Sequence, residues 1–407
     1  MTTSLIITIC VLLLIAYIFD LTSSKTRIPS VLLLLLMGWG VKQITVLVDI
    51  QLPDLSPALQ ILGTIGLILI VLEGALELEF DASKIPVLKK TFIVALLPMV
   101  ILAFILAYAF HYFGGYSFKD SMTNAIPLCV ISSAIAIPSA ANLNRTDREY
   151  IIYESSLSDI LGVMFFNFLA LNEVINAESI GHFFLQLLII LIISFIATLG
   201  LSFLLSRIEH HVKFIPIIIL IILIYAISKI YHLPALLFIL VFGLFLGNLD
   251  ELKRIKWIER LRPEVLDGET KKFKEITIEA TFLTRVLFFL VFGYLIETLE
   301  LFNPETAVWS ASIVGLIFLI RALALKLTGS DLQPLLFFAP RGLITILLFL
   351  SVLPEQVIPL VNQSLIIQVI VLTALVMMAG LMVKGKKTLP VAHSNEQATG
   401  SAQQDLQ

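Results

Sequence analysis

Thirteen apolar segments, separated by short polar stretches, dominate the hydropathy pattern of this chain. Most of them have the roughly 20 mostly apolar residues that a helix needs to cross a bilayer. They lie at about residues 3–19, 29–47, 57–78, 88–112, 120–142, 147–171, 181–206, 214–230, 234–249, 273–297, 305–327, 334–352 and 363–383. The eighth and ninth are short, and Pro234 fits the first turn of a new helix. The pattern predicts an all-α polytopic membrane protein with 13 transmembrane helices.

The composition agrees with this pattern. Of the 407 residues, 58% are apolar and only 14% are charged, against about 25% charged in an average soluble protein. The 27 basic and 30 acidic residues exclude a generally basic nucleic-acid binder. Cys10 and Cys129 lie in apolar runs, which argues against a disulfide framework or a cysteine metal site. The first apolar run lacks a basic leader and a small-residue cleavage site, so we expect a spanning helix rather than a signal peptide.

The positions of lysine and arginine predict the orientation of these helices. Cytoplasmic loops are enriched in both residues. With the N-terminus outside, 21 of the 27 lie in inner segments and three lie within spans, and only Lys42, Lys119 and Lys229 lie at outer ends. Merging two spans would reverse every later loop and destroy this asymmetry. We therefore expect a multi-pass protein of the cell inner (plasma) membrane, with the N-terminus outside and the C-terminus in the cytoplasm.

The thirteen spans divide into two sets of six with one helix between them. An odd helix in the middle gives the two sets opposite orientations, which predicts two inverted six-helix repeats. The fifth helix of each set is interrupted, near Pro138 in one and at Pro340-Arg341-Gly342 in the other. A single such break fits an ordinary proline kink. Two breaks at corresponding positions favour a transporter with a site near the midplane of the bilayer.

Six charged residues are predicted at membrane depth, where charge is costly and usually functional. They are Glu73, Glu154, Asp159, Arg285, Arg321 and Arg341. Glu154 and Arg321 lie at similar depths in spans six and eleven, which predicts an ion pair that holds the two spans together. Arg285 and Arg341 could contact helix-end carbonyls or supply positive potential near the site. Glu73 could pair with either arginine, line an inner funnel, or simply meet water at the inner end of span three.

Asp159 lies about twelve residues into span six, near mid-membrane at 1.5 Å per residue. Ser155 lies one turn earlier on the same face. A carboxylate with neighbouring hydroxyls suits a partly dehydrated monovalent cation, and the same carboxylate can bind a proton instead. A structural aspartate hydrogen-bonded to serines is the alternative. No phosphate-binding loop, metal-ligand spacing or nucleophile elbow stands in the sequence, so we expect no enzyme, no cofactor and no ATP hydrolysis.

Several motifs resemble those of one transporter superfamily. Residues 154–159 (ESSLSD) are similar to its Glu-Ser-Leu-x-Asn-Asp helix, and further matches stand at 72–78 (LEGALEL), 288–293 (FFLVFG), 320–323 (IRAL) and 339–342 (APRG). Their order and spacing cover about residues 5–383. The chain therefore resembles the monovalent cation:proton antiporter superfamily, especially its bacterial sodium/proton exchanger family.

The resemblance implies a homodimer in which a core moves against a scaffold, with the two interrupted helices crossing beside Asp159. Residues 1–87 and 213–300 would form the scaffold, 88–179 and 301–385 the core, 180–212 the linker helix and 386–407 a disordered cytoplasmic tail. Asp159 would carry the exchanged ion, Na⁺ or K⁺, and Glu154–Arg321 would be structural. The ion-binding residues would be Asp159, Ser158, Ser155, Ser132 and Ser133.

The chain departs from the family pattern at two places. Ser158 stands where the family has Asn or a second Asp, and a single Asp goes with electroneutral exchange in that family. Ser132-Ser133 replaces the exchanger Thr-Asp-Pro and resembles the potassium-efflux branch. The sequence therefore favours exchange of Na⁺, or of K⁺ or Li⁺, for H⁺. The alternatives are a potassium-efflux antiporter, a channel-like cation pathway, a carrier of organic anions, or a sensor that has lost transport.

Overall fold

The computed structural model describes residues 2–49, 53–78, 84–172, 176–208, 210, 212–231, 233–249 and 263–384. All regular structure in these ranges is helical. The expected cytoplasmic tail at 386–407 and most of the basic loop before the tenth span lie outside the described residues.

Seven helices lie within the described residues up to 172. They are α1 (Thr2–Thr26), α2 (Ser30–Leu47), α3 (Ser56–Glu77), α4 (Ile85–Gly114), α5 (Phe118–Ala125), α6 (Ser133–Ser139) and α7 (Arg145–Leu171). The helices that follow are α8 (Ala177–Arg207), α9 (Phe214–Ile230), α10 (Leu236–Gly247), α11 (Pro263–Leu295), α12 (Pro304–Leu327), α13 (Leu343–Leu350) and α14 (Gln363–Lys384). Short helical turns occur at Ile126–Leu128, Thr298–Leu301, Leu335–Phe337 and Pro354–Gln356.

Length and hydropathy confirm a multi-pass membrane protein. Within the described residues, 8 helical segments are long and apolar enough to cross a bilayer, and three shorter apolar helices lie at Ile7–Ser23, Phe214–Ile230 and Leu236–Gly247. The count of 13 spans stays a prediction. The helix α7, which carries the predicted ion-binding acid, is not among the 8.

The helix α11 begins at Pro263, earlier than the predicted start of the tenth span at 273. Its first turns are charged, and Lys271 pairs with Asp267 one turn away at 2.9 Å. Pairs of this spacing stabilise exposed helix. The helix therefore continues beyond the apolar segment that hydropathy identifies.

The helices pack in two groups. In one, α11 packs on α2 and α3, and α10 packs on α3 and α8. A Cβ on Gly38 would collide with the backbone at Leu290, and one on Gly293 would collide with the backbone at Leu35. Small residues of this kind let membrane helices approach closely. In the other group, α4 packs on α5, α7 and α12, and α12 packs on α14.

Both spans predicted to be interrupted are broken in the structure. The chain between α5 and α6 makes one helical turn at Ile126–Leu128 and is then irregular until Ser133. Pro138 lies inside α6, so the first break comes before this proline and not at it. The second break runs from the turn Leu335–Phe337 to the start of α13 and includes Pro340.

Candidate functional site

The two irregular segments cross and bond to each other through their backbones. The Ser132 amide donates to the Pro340 carbonyl at 2.9 Å. A Cβ at Gly342 would collide with the Ile135 side chain and approach the Ser132 hydroxyl at 2.9 Å, so glycine permits the close crossing. Unwinding also frees backbone N–H and C=O groups in both irregular segments, and such groups need hydrogen-bond partners when they are buried. Side chains from three neighbouring helices supply several of these partners.

Asp159 of α7 lies beside this crossing and is 1% exposed. The Ser133 hydroxyl, at the start of α6, donates to Asp159 Oδ2. The other carboxylate oxygen, Oδ1, has no hydrogen-bond partner among the described residues. The Ser132 hydroxyl is also buried without a partner in that part of the chain. The site thus presents unused oxygen ligands in a place with little water.

Two serines predicted at the ion site form hydrogen bonds with backbone groups in this structure. The Ser158 hydroxyl accepts from the Ile131 amide at 2.9 Å and so satisfies a donor of the first irregular segment. The Ser155 hydroxyl donates to the Ile151 carbonyl, one turn back in its own helix, at 2.7 Å. The crossing therefore brings Asp159 together with Ser133, whereas the Ser155 hydroxyl bonds to α7 itself.

Glu154 and Arg321 are both buried and face each other with paired hydrogen bonds. Arg321 Nη2 lies 2.8 Å from Glu154 Oε2, and Nη1 lies 2.5 Å from Oε1. The same guanidinium donates to the Leu335 carbonyl through Nε at 2.9 Å and through Nη2 at 2.7 Å. Arg321 therefore ties α12 to α7 and to the helical turn before the second break. These carboxylate and carbonyl oxygens accept from the planar, forked guanidinium of Arg321. The single ammonium group of a lysine could not supply this geometry.

The Arg341 guanidinium donates hydrogen bonds to backbone carbonyls that unwinding leaves free at the crossing. Its Nε donates to the Leu128 carbonyl at 2.7 Å and its Nη1 to the Ala339 carbonyl at 3.1 Å. Its own amide donates to the Thr373 hydroxyl of α14 at 3.1 Å. One guanidinium thus contacts a free carbonyl of each irregular segment. This is the helix-end role that the sequence offered for Arg341 as one of two possibilities.

Arg285 and Glu73 lie in the other group of helices. Arg285 Nη2 is 3.6 Å from Asp20 Oδ1, and the same oxygen accepts from the Ser30 hydroxyl at 3.2 Å. Glu73 is half-buried on α3, beside Thr281 and within electrostatic reach of Arg285. Asp20 escaped the sequence analysis because the first predicted span ended one residue before it.

A cavity of about 400 Å³ lies between α3, α7, α9, α10 and α13. Its lining includes Thr64, Asn167, Lys229 and Ser351 together with apolar side chains. Lys229 is one of the three basic residues predicted at outer ends, so the cavity lies toward the outer side of the predicted topology. Asn167 stands two turns beyond Asp159 and is the polar residue of an otherwise apolar stretch, 160–170, which is the signal that could have identified it.

The oxygen ligands at the crossing suit a hard cation or a proton, and the single carboxylate there compensates one positive charge. Carboxylate and hydroxyl oxygens are ligands for such ions, whereas transition metals favour nitrogen and sulfur. No group of three or more His, Cys, Asp or Glu side chains that could hold a metal ion exists within the described ranges.

Comparisons with known proteins identify the family of the chain and similar folds. The family described as "Sodium/hydrogen exchanger, transmembrane" matches residues 10–384. No curated protein sequence matched the chain. Two structures of the sodium proton antiporter MjNhaP1 from Methanocaldococcus jannaschii are similar in fold, both at 18% identity. The structure at pH 8 has a TM-score of 0.62 and covers 94% of this chain and 97% of that one. The electron-microscopy structure has a TM-score of 0.65, with 94% and 95% covered.

The family match spans almost the whole described chain, including both breaks, α7 and α12. The members of this family are transporters rather than enzymes. The chain therefore belongs to the sodium/hydrogen exchanger family, within the monovalent cation:proton antiporter superfamily.

Proposed function

We propose that this protein exchanges a monovalent cation, Na⁺ first, for H⁺ across the cell membrane, with Asp159 binding either ion in turn. The observation that carries this proposal is the Asp159 carboxylate itself. It is buried at the crossing of two unwound helices, bonded by one hydroxyl and left with one oxygen unused. A buried carboxylate must be neutralised, and a bound cation or a bound proton does this equally well.

The arrangement of charge supports a stoichiometry of one for one. Glu154 is neutralised by Arg321, and the Arg341 guanidinium is directed at backbone carbonyls. Of the two buried acids of α7, Asp159 is then the one whose charge is free to change during transport. Loading it with Na⁺ in one direction and H⁺ in the other moves no net charge, so the exchange is electroneutral.

The packing supports the expected division into core and scaffold. The core comprises α4–α7 and α12–α14, the scaffold α1–α3 and α9–α11, and α8 links them. The outer cavity lies between scaffold helices α3, α9 and α10 and core helices α7 and α13. At the opposite end, Arg148 of α7 lies 3.5 Å from Glu77 of α3. A cavity on one side and an ion pair on the other fit one state of an alternating-access cycle. The proposed transporter has 13 spans in two inverted repeats and works as a homodimer.

Potassium is the second candidate cation because of the residues at the first break. Ser132 and Ser133 supply hydroxyls where the exchanger pattern has an acidic residue. Fewer fixed charges favour the larger, more easily dehydrated ion. A channel would need a continuous passage, and the burial of Asp159 beneath the crossing argues against one.

Purified protein in liposomes that contain a pH-sensitive dye tests the proposal. Addition of Na⁺, K⁺, Li⁺ or Rb⁺ should produce proton flux with Na⁺ or K⁺ and little with an impermeant organic cation as control. Failure of all four cations to move protons, in protein that melts cooperatively, would exclude the antiport reaction. Resolved single-channel steps would favour the channel instead.

A further inference from the structure

An apolar groove of about 520 Å³ lies nearer the start of α7 than the outer cavity does, since its α7 residues are 153–157 and those of the cavity are 163–170. Its walls come mainly from α4, α7 and α10: Leu88, Phe92, Ile93, Leu157, Leu240 and Leu244. Phe92 and Ile93 are 42% and 46% exposed, so the groove is open sideways along α4. In a membrane protein this opening faces the hydrocarbon of the bilayer.

The groove has the depth of one leaflet. Tyr153 and Leu157 of α7 border it, and they lie eight and twelve residues after the first residue of that helix. At 1.5 Å per residue they stand about 12 and 18 Å along the helix. The hydrocarbon core is about 30 Å thick, so the groove runs from one membrane surface to about the midplane.

Lys89 stands at the surface end of the groove. It is in the second turn of α4, is exposed, and is the charged residue among the described residues that line the groove. No described acidic side chain lies within ion-pair distance of its ammonium group. An apolar groove that ends at a cation complements an apolar chain that ends at an anion.

We propose that this groove binds one acyl chain of an anionic phospholipid, whose phosphate pairs with Lys89. The occupied leaflet is the one on the Glu77–Arg148 side, which is cytoplasmic in the proposed topology. The site lies between core helices α4 and α7 and scaffold helices α3 and α10. It goes beyond the proposed exchange reaction, because lipid binding here needs the groove and Lys89 and does not need the carboxylate of Asp159.

The size of the groove argues for a lipid chain rather than a helix of a partner. A helix with its side chains is about 10–12 Å in diameter, so 520 Å³ would hold little more than one of its turns. An extended acyl chain is far thinner and can follow the groove to the midplane. The bilayer also supplies acyl chains at high local concentration, whereas a water-soluble ligand would have to cross the headgroup region.

Photo-crosslinking in nanodiscs tests the site with the full chain. The probe is phosphatidylglycerol with a diazirine in one acyl chain, diluted in phosphatidylcholine, and the labelled peptides are identified by mass spectrometry. Labels should concentrate on α4 around Phe92 and on α10 around Leu240. Lys89→Gln should lower the preference for the anionic probe over its phosphatidylcholine analogue about fivefold, as expected for one lysine near the membrane surface.

Lys90→Gln is the matched control, because Lys90 is also exposed but does not line the groove. It should leave the preference unchanged. Leu240→Trp fills the groove and should remove labelling with either headgroup, while Ile227→Trp, on a lipid-facing position of α9, should not. Labels spread evenly around the protein, equal effects of the two lysine variants, or crosslinks between two copies of the chain at Phe92 would overturn the proposal. Even if Leu240→Trp does not fold, the comparison of the two lysines decides the question.

Discussion

At the scale of single residues, the site depends on two acids in one helix that have different partners. Glu154 faces the Arg321 guanidinium, whereas Asp159 meets a hydroxyl and no described cationic group. Their positions at membrane depth and the matching depth of Arg321 were predicted from spacing along the spans. The choice among serines could not, because a helical serine can bond to its own backbone one turn back, as Ser155 does.

Asp159→Asn should abolish exchange and leave folding largely intact. The amide keeps the shape of the side chain and can still bond to Ser133, but it cannot bind a proton or neutralise a cation. Cation-driven proton flux in liposomes is the measurement, with the melting temperature as the check on folding. Flux that persists in this variant would show that another group carries the ion.

Ser133→Ala should raise the apparent Km for the cation about tenfold. It removes the hydroxyl that donates to Asp159 Oδ2, and a hydrogen bond to a charged group contributes about 1.5–3 kcal/mol. Ser155→Ala is the matched control, since that hydroxyl bonds to the Ile151 carbonyl, and its effect on Km should be much smaller. A larger effect of Ser155→Ala would mean that Ser155 turns toward the ion during transport.

At the scale of elements, the two broken helices need buried arginine side chains to satisfy the hydrogen bonding of their unwound backbones. The Arg321 guanidinium donates a hydrogen bond to the Leu335 carbonyl, and that of Arg341 donates to the carbonyls of Leu128 and Ala339. The existence of both breaks was predictable from paired irregular sequences. The position of the first was not, because Pro138 is tolerated within α6 and the chain unwinds where the two segments bond to each other, at Ser132 and Pro340.

Arg321→Ala should destabilise the protein more than it weakens ion binding. It leaves Glu154 as an uncompensated buried charge, and breaking a buried pair costs about 3–5 kcal/mol. Glu154→Gln combined with Arg321→Gln should recover much of this loss, because both side chains are then neutral and the glutamine amide can still donate to the Leu335 carbonyl. Thermal unfolding of the two single variants and the double variant in the same detergent gives the comparison. Additive losses in the double variant would show that the two residues are not energetic partners.

At the scale of the whole molecule, the sequence predicts a polytopic helical protein because the bilayer imposes long apolar segments and a charge asymmetry on its loops. It does not predict the outer cavity or the apolar groove. Both arise where helices far apart in sequence diverge, and their linings, such as Thr64 with Ser351 or Phe92 with Leu240, combine distant segments. The Arg285–Asp20 contact was not predicted for a related reason, since Asp20 follows the first apolar segment and its partner lies in α11.

Competition between the two ions follows from having one exchangeable carboxylate at the crossing. If proton and cation share Asp159, the apparent cation Km should rise about tenfold for each unit by which the pH falls once the carboxyl group is mostly protonated, as the binding of a single competing proton requires. Maximum flux at saturating cation should change far less. A Km that does not change with pH while the maximum flux falls would place the proton on a different group.

The same single carboxylate predicts that turnover carries no current. One cation replaces one proton, so the transport rate should not respond to membrane potential, and solid-supported-membrane electrophysiology should detect only the small transient of ion binding. Glu73 is the acid that could change this result, because it lies half-buried on α3 and its neighbour Gly74 faces Ser156 of α7. Sustained currents that vanish in Glu73→Gln, with exchange retained, would identify Glu73 as a second proton carrier and make the stoichiometry two protons per cation.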